Sequence, residues 1–196
     1  MRKPGREAGE EGRRLVAALG EFHHDGFGPA CAAGIDAAEA VRRLGGTPVP
    51  DDVMEDFLDD PYAYDMDESP RLVGVTTVPG GCVVARPRGY APQMPGVLAL
   101  LSVGTHCYGL YANPKSGNQG SVARDGTLEG GDLHPGDGPD EDDGPEEVLN
   151  SCLYRYRYRA VAYAYASAGL RPTDSRAVLG PPDVWVELPD RDYWSR

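Results

Sequence analysis

The side chains best suited to metal or nucleophilic chemistry are few in this chain. Cys31, Cys82, Cys107 and Cys152 lie far apart, with no Cys-x-x-Cys pair, which is not the spacing of structural zinc or dithiol redox sites. His23, His24 and Asp25 are adjacent, but neighbouring histidines rarely converge on one ion, and no His-x-x-x-His accompanies them. His106 and Cys107 fall on a predicted strand, where successive side chains point to opposite faces, so they form no dyad. His134 could join Asp132 and Asp137 around a cation, although the surrounding acidic stretch has the composition of a solvated loop.

Other motifs fail on specific grounds. The stretch Gly109–Ser116 resembles a phosphate-binding loop with Pro114 in place of its second glycine. Such loops work by presenting backbone N–H groups ahead of a helix. Pro114 removes one donor, and turn residues follow instead of a helix. Asp140, Asp142 and Gly144 do not reproduce calcium-loop spacing. Ser102 lacks the Gly-x-Ser-x-Gly elbow. With 31 carboxylates in the chain, an acid–base pair is possible almost anywhere and identified nowhere. An enzyme site would have to assemble from scattered residues, for which Cys82, Arg86, Tyr90 and His106 are the candidate set. No metal or cofactor is expected.

The elements that would position these residues follow from patterning. The 196 residues suffice for a domain with a real core. Gly (26) and Pro (18) exceed their usual shares of roughly 7% and 5%, so long loops are expected around a compact core. We expect disorder over 1–12, one α+β domain over 13–173, and an irregular tail over 174–196 with one short strand in Val184–Leu188. Leu15, Leu19 and Phe22 have helical spacing. Asp36 is a cap with Glu39 three residues on, and Gly45 and Gly46 stop that helix. Asp51–Asp60 is a further short helix with Val53, Met54, Phe57 and Leu58 inward. Residues 71–86 predict a hairpin closed by a three-residue Pro-Gly-Gly turn. Pro95 opens a short helix, and strands follow over 105–113 and 120–131, the latter folded at Asp125-Gly126. Helices, then strands, then a helix indicate α+β with a mainly antiparallel sheet.

Between Asp125 and Tyr154 there is no Lys or Arg, and the acidic Gly/Pro-rich part at about 129–145 predicts a loop. A long helix is expected at about 145–169. The alternation in Tyr154–Ala166 imitates a strand, yet the alanines favour helix, and Leu149, Leu153, Tyr156, Ala160 and Tyr163 share one helical face. A second ridge carries Tyr154, Tyr158 and Tyr165, flanked by Arg155 and Arg159. Two roles are open to it: a helix packed on both sides, or a protein-binding surface rich in the residues that concentrate binding energy.

Net charge is −12, which repels polyanions and argues against nucleic-acid binding while steering toward basic partners. No apolar run approaches the roughly 20 residues of a membrane span. The N-terminus has no apolar core of a signal peptide, so the cytoplasm is the expected compartment.

Several segments in order resemble a family of uncharacterised, mostly actinobacterial small proteins. They are "GIDAAEAVRRLGG", "VPGGCVVARPRGY", "PGVLALLSVGTHCYGLYAN" and "ARDGTLEGGDL", followed by the final helix and "AGLRPT". The resemblance spans most of 30–173 and implies the fold without an established activity. That family has an acidic residue where this chain has Arg86, so any role of that acid is missing here. The expected function is therefore an acidic protein-interaction module without catalysis, regulatory or immunity- or antitoxin-like. A small-molecule or metal-linked enzyme and a structural subunit of a larger assembly are the alternatives.

Overall fold

The computed structural model describes residues 6–20, 27–52, 54, 71–86, 89–111, 118–133 and 160–194. Their elements are α1 (Arg6–Leu19), β1 (Gly28–Ala33), α2 (Ala37–Leu44), β2 (Thr47–Val49), β3 (Leu72–Val78) and β4 (Gly81–Arg86). Then come a single 3-10 turn (Ala91–Gln93), α3 (Pro95–Leu101), β5 (His106–Tyr111), β6 (Gln119–Arg124) and β7 (Thr127–Leu133). α4 (Ala160–Ser167), α5 (Arg176–Leu179) and β8 (Val184–Glu187) complete the order. The eight strands form one sheet in the order β2-β8-β3-β4-β1-β5-β6-β7, and every pairing is antiparallel. An antiparallel sheet with helices is the α+β class expected.

Local signals account for much of this. The Asp36 carboxylate accepts the Glu39 N–H at 2.8 Å, and Gly45 ends α2 in the left-handed conformation. Glu39 then holds Arg42 and Arg43 at 2.7 Å; their hydrogen bonds keep its carboxyl at about 2. Asp125 (φ 46°) and Gly126 (φ 78°) form the two-residue turn between β6 and β7, the conformation Asp-Gly favours in hairpins. The β3–β4 turn is tighter than expected. Val78 pairs with Gly81, so Pro79 and Gly80 alone turn the chain and Gly81 belongs to the strand.

Alternation sends side chains to two apolar layers, one on each face of the sheet. Ala30, Ala32, Val73, Val75, Cys82, Val84, Cys107 and Val186 meet α2 and α3 on one face. Cys31, Val83, Tyr108 and Leu110 meet α1 and α4 on the other. Because both faces are covered, the inner strands are buried almost throughout: β1 is buried at all six positions.

Three expectations change, for residues 1–12, 129–133 and 174–196; residues 129–133, expected to open the acidic loop, belong to β7. Helix α1 begins at Arg6, inside the stretch 1–12 expected to be disordered; Leu15 and Leu19 anchor it on the sheet. The stretch after 173 is not an irregular tail. β8 pairs with β2 on one side and β3 on the other, so residues near the C-terminus form an interior strand, and Leu188 and Tyr193 join the core. Finally, the long helix over 145–169 is described only as Ala160–Ser167. Tyr154, Arg155, Tyr158 and Arg159 lie outside the described residues, as do His23, His24, His134 and most of the Asp51–Asp60 stretch. The described helix is apolar nearly all round, which matches its burial.

Candidate functional site

At one end of β5 and β6, three aromatic side chains gather on the α2–α3 face of the sheet. Two glycines make room for them. A Cβ on Gly28 would lie 2.8 Å from the Gly89 carbonyl oxygen, and one on Gly109 would lie 2.8 Å from Leu98 and 3.2 Å from the Gln93 amide oxygen. Without those side chains the 89–93 segment lies directly across β1 and β5. The Gln93 Nε2 donates to the Pro29 carbonyl (2.9 Å) and to the Leu110 carbonyl, bridging the two strands.

This seating places Tyr90 over Tyr111, with ring centroids 4.0 Å apart at 30°. The Tyr90 hydroxyl donates to the Gln119 Oε1 at 2.8 Å, and partial burial, then Tyr111, pushes the phenol pKa up. Tyr90 is therefore a fixed, neutral donor at physiological pH. Trp194 completes the group at 6.0 Å from Tyr90. Its backbone N–H donates to Asp192 (2.8 Å), and the preceding Tyr193 carbonyl accepts the Gly96 N–H (2.8 Å) at the start of α3. Tyr90 remains 37% exposed and Trp194 58% exposed. Two large aromatics are thus placed side by side while open to solvent.

A hollow of about 340 Å³ opens beside Trp194, lined by Arg71, Met94, Asp190, Arg191 and Asp192. Arg71 is tied to Asp190 at 2.6 Å, and Arg191 lies 4.6 Å from the Tyr193 ring centre while donating to the Leu44 carbonyl. Tyr193 itself is buried, and among the described residues its hydroxyl has no hydrogen-bond partner.

Of the candidate enzyme set, Arg86 lies against Gly89 beside Tyr90, where a Cβ on Gly89 would meet the Arg86 side chain at 2.4 Å, whereas Cys82 and His106 are not brought to that pair. Cys82 and Arg86 share a face of β4 but sit four residues apart, about 13 Å along a strand. His106 lies on the opposite face, in step with Tyr108 and Leu110, at the other end of β5 from Tyr111 and hence from Tyr90. Arg86 is buried, and desolvation lowers its pKa. Among the described residues no three His, Cys, Asp or Glu side chains are placed to hold a metal.

The described thiols, Cys31, Cys82 and Cys107, are buried and serve packing. Cys82 and Cys107 both pair with Ala32, on either side of β1, so two strand spacings, about 9.5 Å, separate them, too far for a disulfide. Burial pushes the Cys82 thiol up to about 12 and raises Cys31 and Cys107 as well. Since only thiolate reacts, Cys31, Cys82 and Cys107 should resist iodoacetamide at pH 8 in the native protein and react in denaturant. Peptide mass spectrometry of the labelled protein checks this; native labelling at any of the three would contradict their burial.

A second cavity, about 400 Å³, lies on the other face between β3 and the Gly180–Pro182 segment, lined by Met54, Thr76, Arg176 and Trp185. Arg176 is already paired with Asp183, which leaves the cavity walls largely apolar.

Comparison with protein-family models, curated proteins and solved structures finds no match to this chain. Geometry alone therefore ranks the candidates. Sequence patterning missed the aromatic group because Tyr90, Tyr111 and Trp194 belong to three separate segments. The one available signal was two exposed-type aromatics next to turn residues, Gly89-Tyr90 and Asp192-Tyr193-Trp194.

Proposed function

We propose that this protein is an acidic interaction module that binds a basic protein partner through Tyr90, Tyr111 and Trp194, without chemistry of its own. The observation that carries this is the solvent-open pairing of Tyr90 with Trp194, ring centroids 6.0 Å apart, beside the closer Tyr90–Tyr111 contact. Tyr, Trp and Arg dominate binding hot spots because they bury much area at little conformational cost. The net charge of −12 selects a basic partner and speeds its approach, and an arginine or lysine of that partner gains further from the exposed aromatic faces. Inhibition of a basic enzyme, as immunity and antitoxin proteins do, is one form this takes.

The test is affinity capture from a lysate of the source organism with wild-type protein and with the Tyr90→Ala, Trp194→Ala double variant. A basic protein, identified by mass spectrometry, should be retained by the wild type at low salt and released at high salt. The variant should bind it at least about 30-fold more weakly, the effect of losing a hot spot worth about 2 kcal/mol. Equal retention by both proteins would refute the assignment of this face.

A further inference from the structure

We infer that the outer edge of β7 is a strand-addition site that accepts an extended, basic segment of the protein partner. This rests on the basic-partner function proposed above and names how part of that partner is held. The two edges of the sheet differ sharply. β2 has three residues, one of them Pro48; shortness and a missing N–H blunt it against pairing. β7 has seven residues and no proline, and among the described residues no strand pairs with its outer side.

Among the described residues that edge is a formed strand, open to solvent at Thr127, Glu129 and Gly130. β7 pairs with β6 from Arg124↔Thr127 to Gln119↔Leu133, the Asp125-Gly126 turn sets the register at its start, a one-residue bulge at Glu129 shifts it before Gly130, and Leu128 packs against the core. Gly130 with Gly131 leaves the middle of the strand without bulky side chains. A formed edge with accessible backbone groups favours main-chain pairing, because little ordering remains to be done on binding.

Charge chooses the occupant. Glu129 and Asp132 belong to the strand, the acidic run is joined to it at Leu133, and no Lys or Arg occurs from Asp125 to Tyr154. A second copy of this chain would set like charge against like charge. A basic strand would set a cation opposite Glu129, whose contact with Arg124 is an exposed 3.3 Å pair of small worth. Position agrees with this: Leu133 pairs with Gln119, and Gln119 pairs with Tyr111. The end of β7 is thus two strand spacings, about 10 Å, from the aromatic group, within one partner's footprint.

Two synthetic probes test this: an acetylated, amidated heptapeptide alternating arginine and valine, and the same peptide N-methylated at every second residue. Binding is followed by calorimetry at low salt and by amide hydrogen exchange. The first peptide should bind and slow exchange within Thr127–Leu133. The N-methylated peptide should bind at least about tenfold more weakly, since two lost backbone hydrogen bonds suffice for that factor. Equal binding of the two peptides would reduce the effect to charge alone and overturn strand addition. So would no binding, protection confined to other strands, or protection of β7 that grows with protein concentration in the absence of peptide, which would place a second copy on the edge. Trp194→Ala should leave the peptide's effect on β7 intact, so loss of aromatic-dependent capture and loss of strand addition are separately visible.

Discussion

Val186→Asp should unfold the protein or leave it only marginally folded at room temperature. Val186 is fully buried on β8, with its side chain in the layer that contains Leu44 and Val73. A Cβ on Gly46 would meet its Cγ1 at 2.1 Å, so no space exists for a carboxylate to turn away or gather water. The substitution removes an apolar burial worth about 1.5–3 kcal/mol. It also places a charge where nothing compensates it, a penalty of about 3–5 kcal/mol by analogy with broken buried ion pairs. Their sum, about 5 kcal/mol or more, approaches the whole stability of an ordinary domain, about 5–15 kcal/mol. Urea denaturation followed by circular dichroism measures it. Glu187→Gln, one residue on and exposed, should change stability by no more than about 0.5 kcal/mol. If Val186→Asp were equally mild, β8 would not be an interior strand.

Tyr165→Ala is expected to cost about 3–5 kcal/mol, the range for removing a large buried aromatic. Tyr165 is among the largest fully buried side chains and sits in the layer between the sheet and α1. Burial, then the nearby Cys31, pushes its phenol pKa well up. Tyr165→Phe should stay within about 1 kcal/mol of wild type, because the hydroxyl donates to the Ala177 carbonyl at a long 3.5 Å. The contrast separates packing from hydrogen bonding, and melting curves of both variants report it. The tyrosine ridge considered for an interaction surface therefore loses this member to the core. A Tyr165→Ala protein with unchanged stability and weakened partner capture would restore it.

These two positions mark where sequence patterning stops. Alternation in Val184–Glu187 announces a strand equally well at an edge, in a tail or in the middle of a sheet. Only its pairing with both β2 and β3 makes Val186 intolerant of charge. Helical periodicity through Tyr165 likewise defines a face without saying what covers it. Burial came from several elements at once: Tyr165 shares one apolar layer with Leu15 and Leu19 of α1, Cys31 of β1 and Ala177 of α5, and α1 begins in a stretch that composition alone marked as unstructured.

What the sequence by itself determined is local: the Asp36 cap and Gly45 stop of α2, Pro95 at the start of α3, the Asp125-Gly126 turn, the strands around them, and an acidic chain with few groups spaced for chemistry. Each depends on contacts within about four residues, where side-chain type and backbone conformation are directly linked. The strand order, the insertion of β8 and the meeting of Tyr90 with Trp194 were decided only by tertiary structure. Every strand offers the same backbone donors and acceptors, so which strands pair depends on how all apolar faces are buried at once. Tyr90 sits in a loop near the middle of the chain and Trp194 about a hundred residues later, and they become neighbours only because β8 returns the following segment to the sheet.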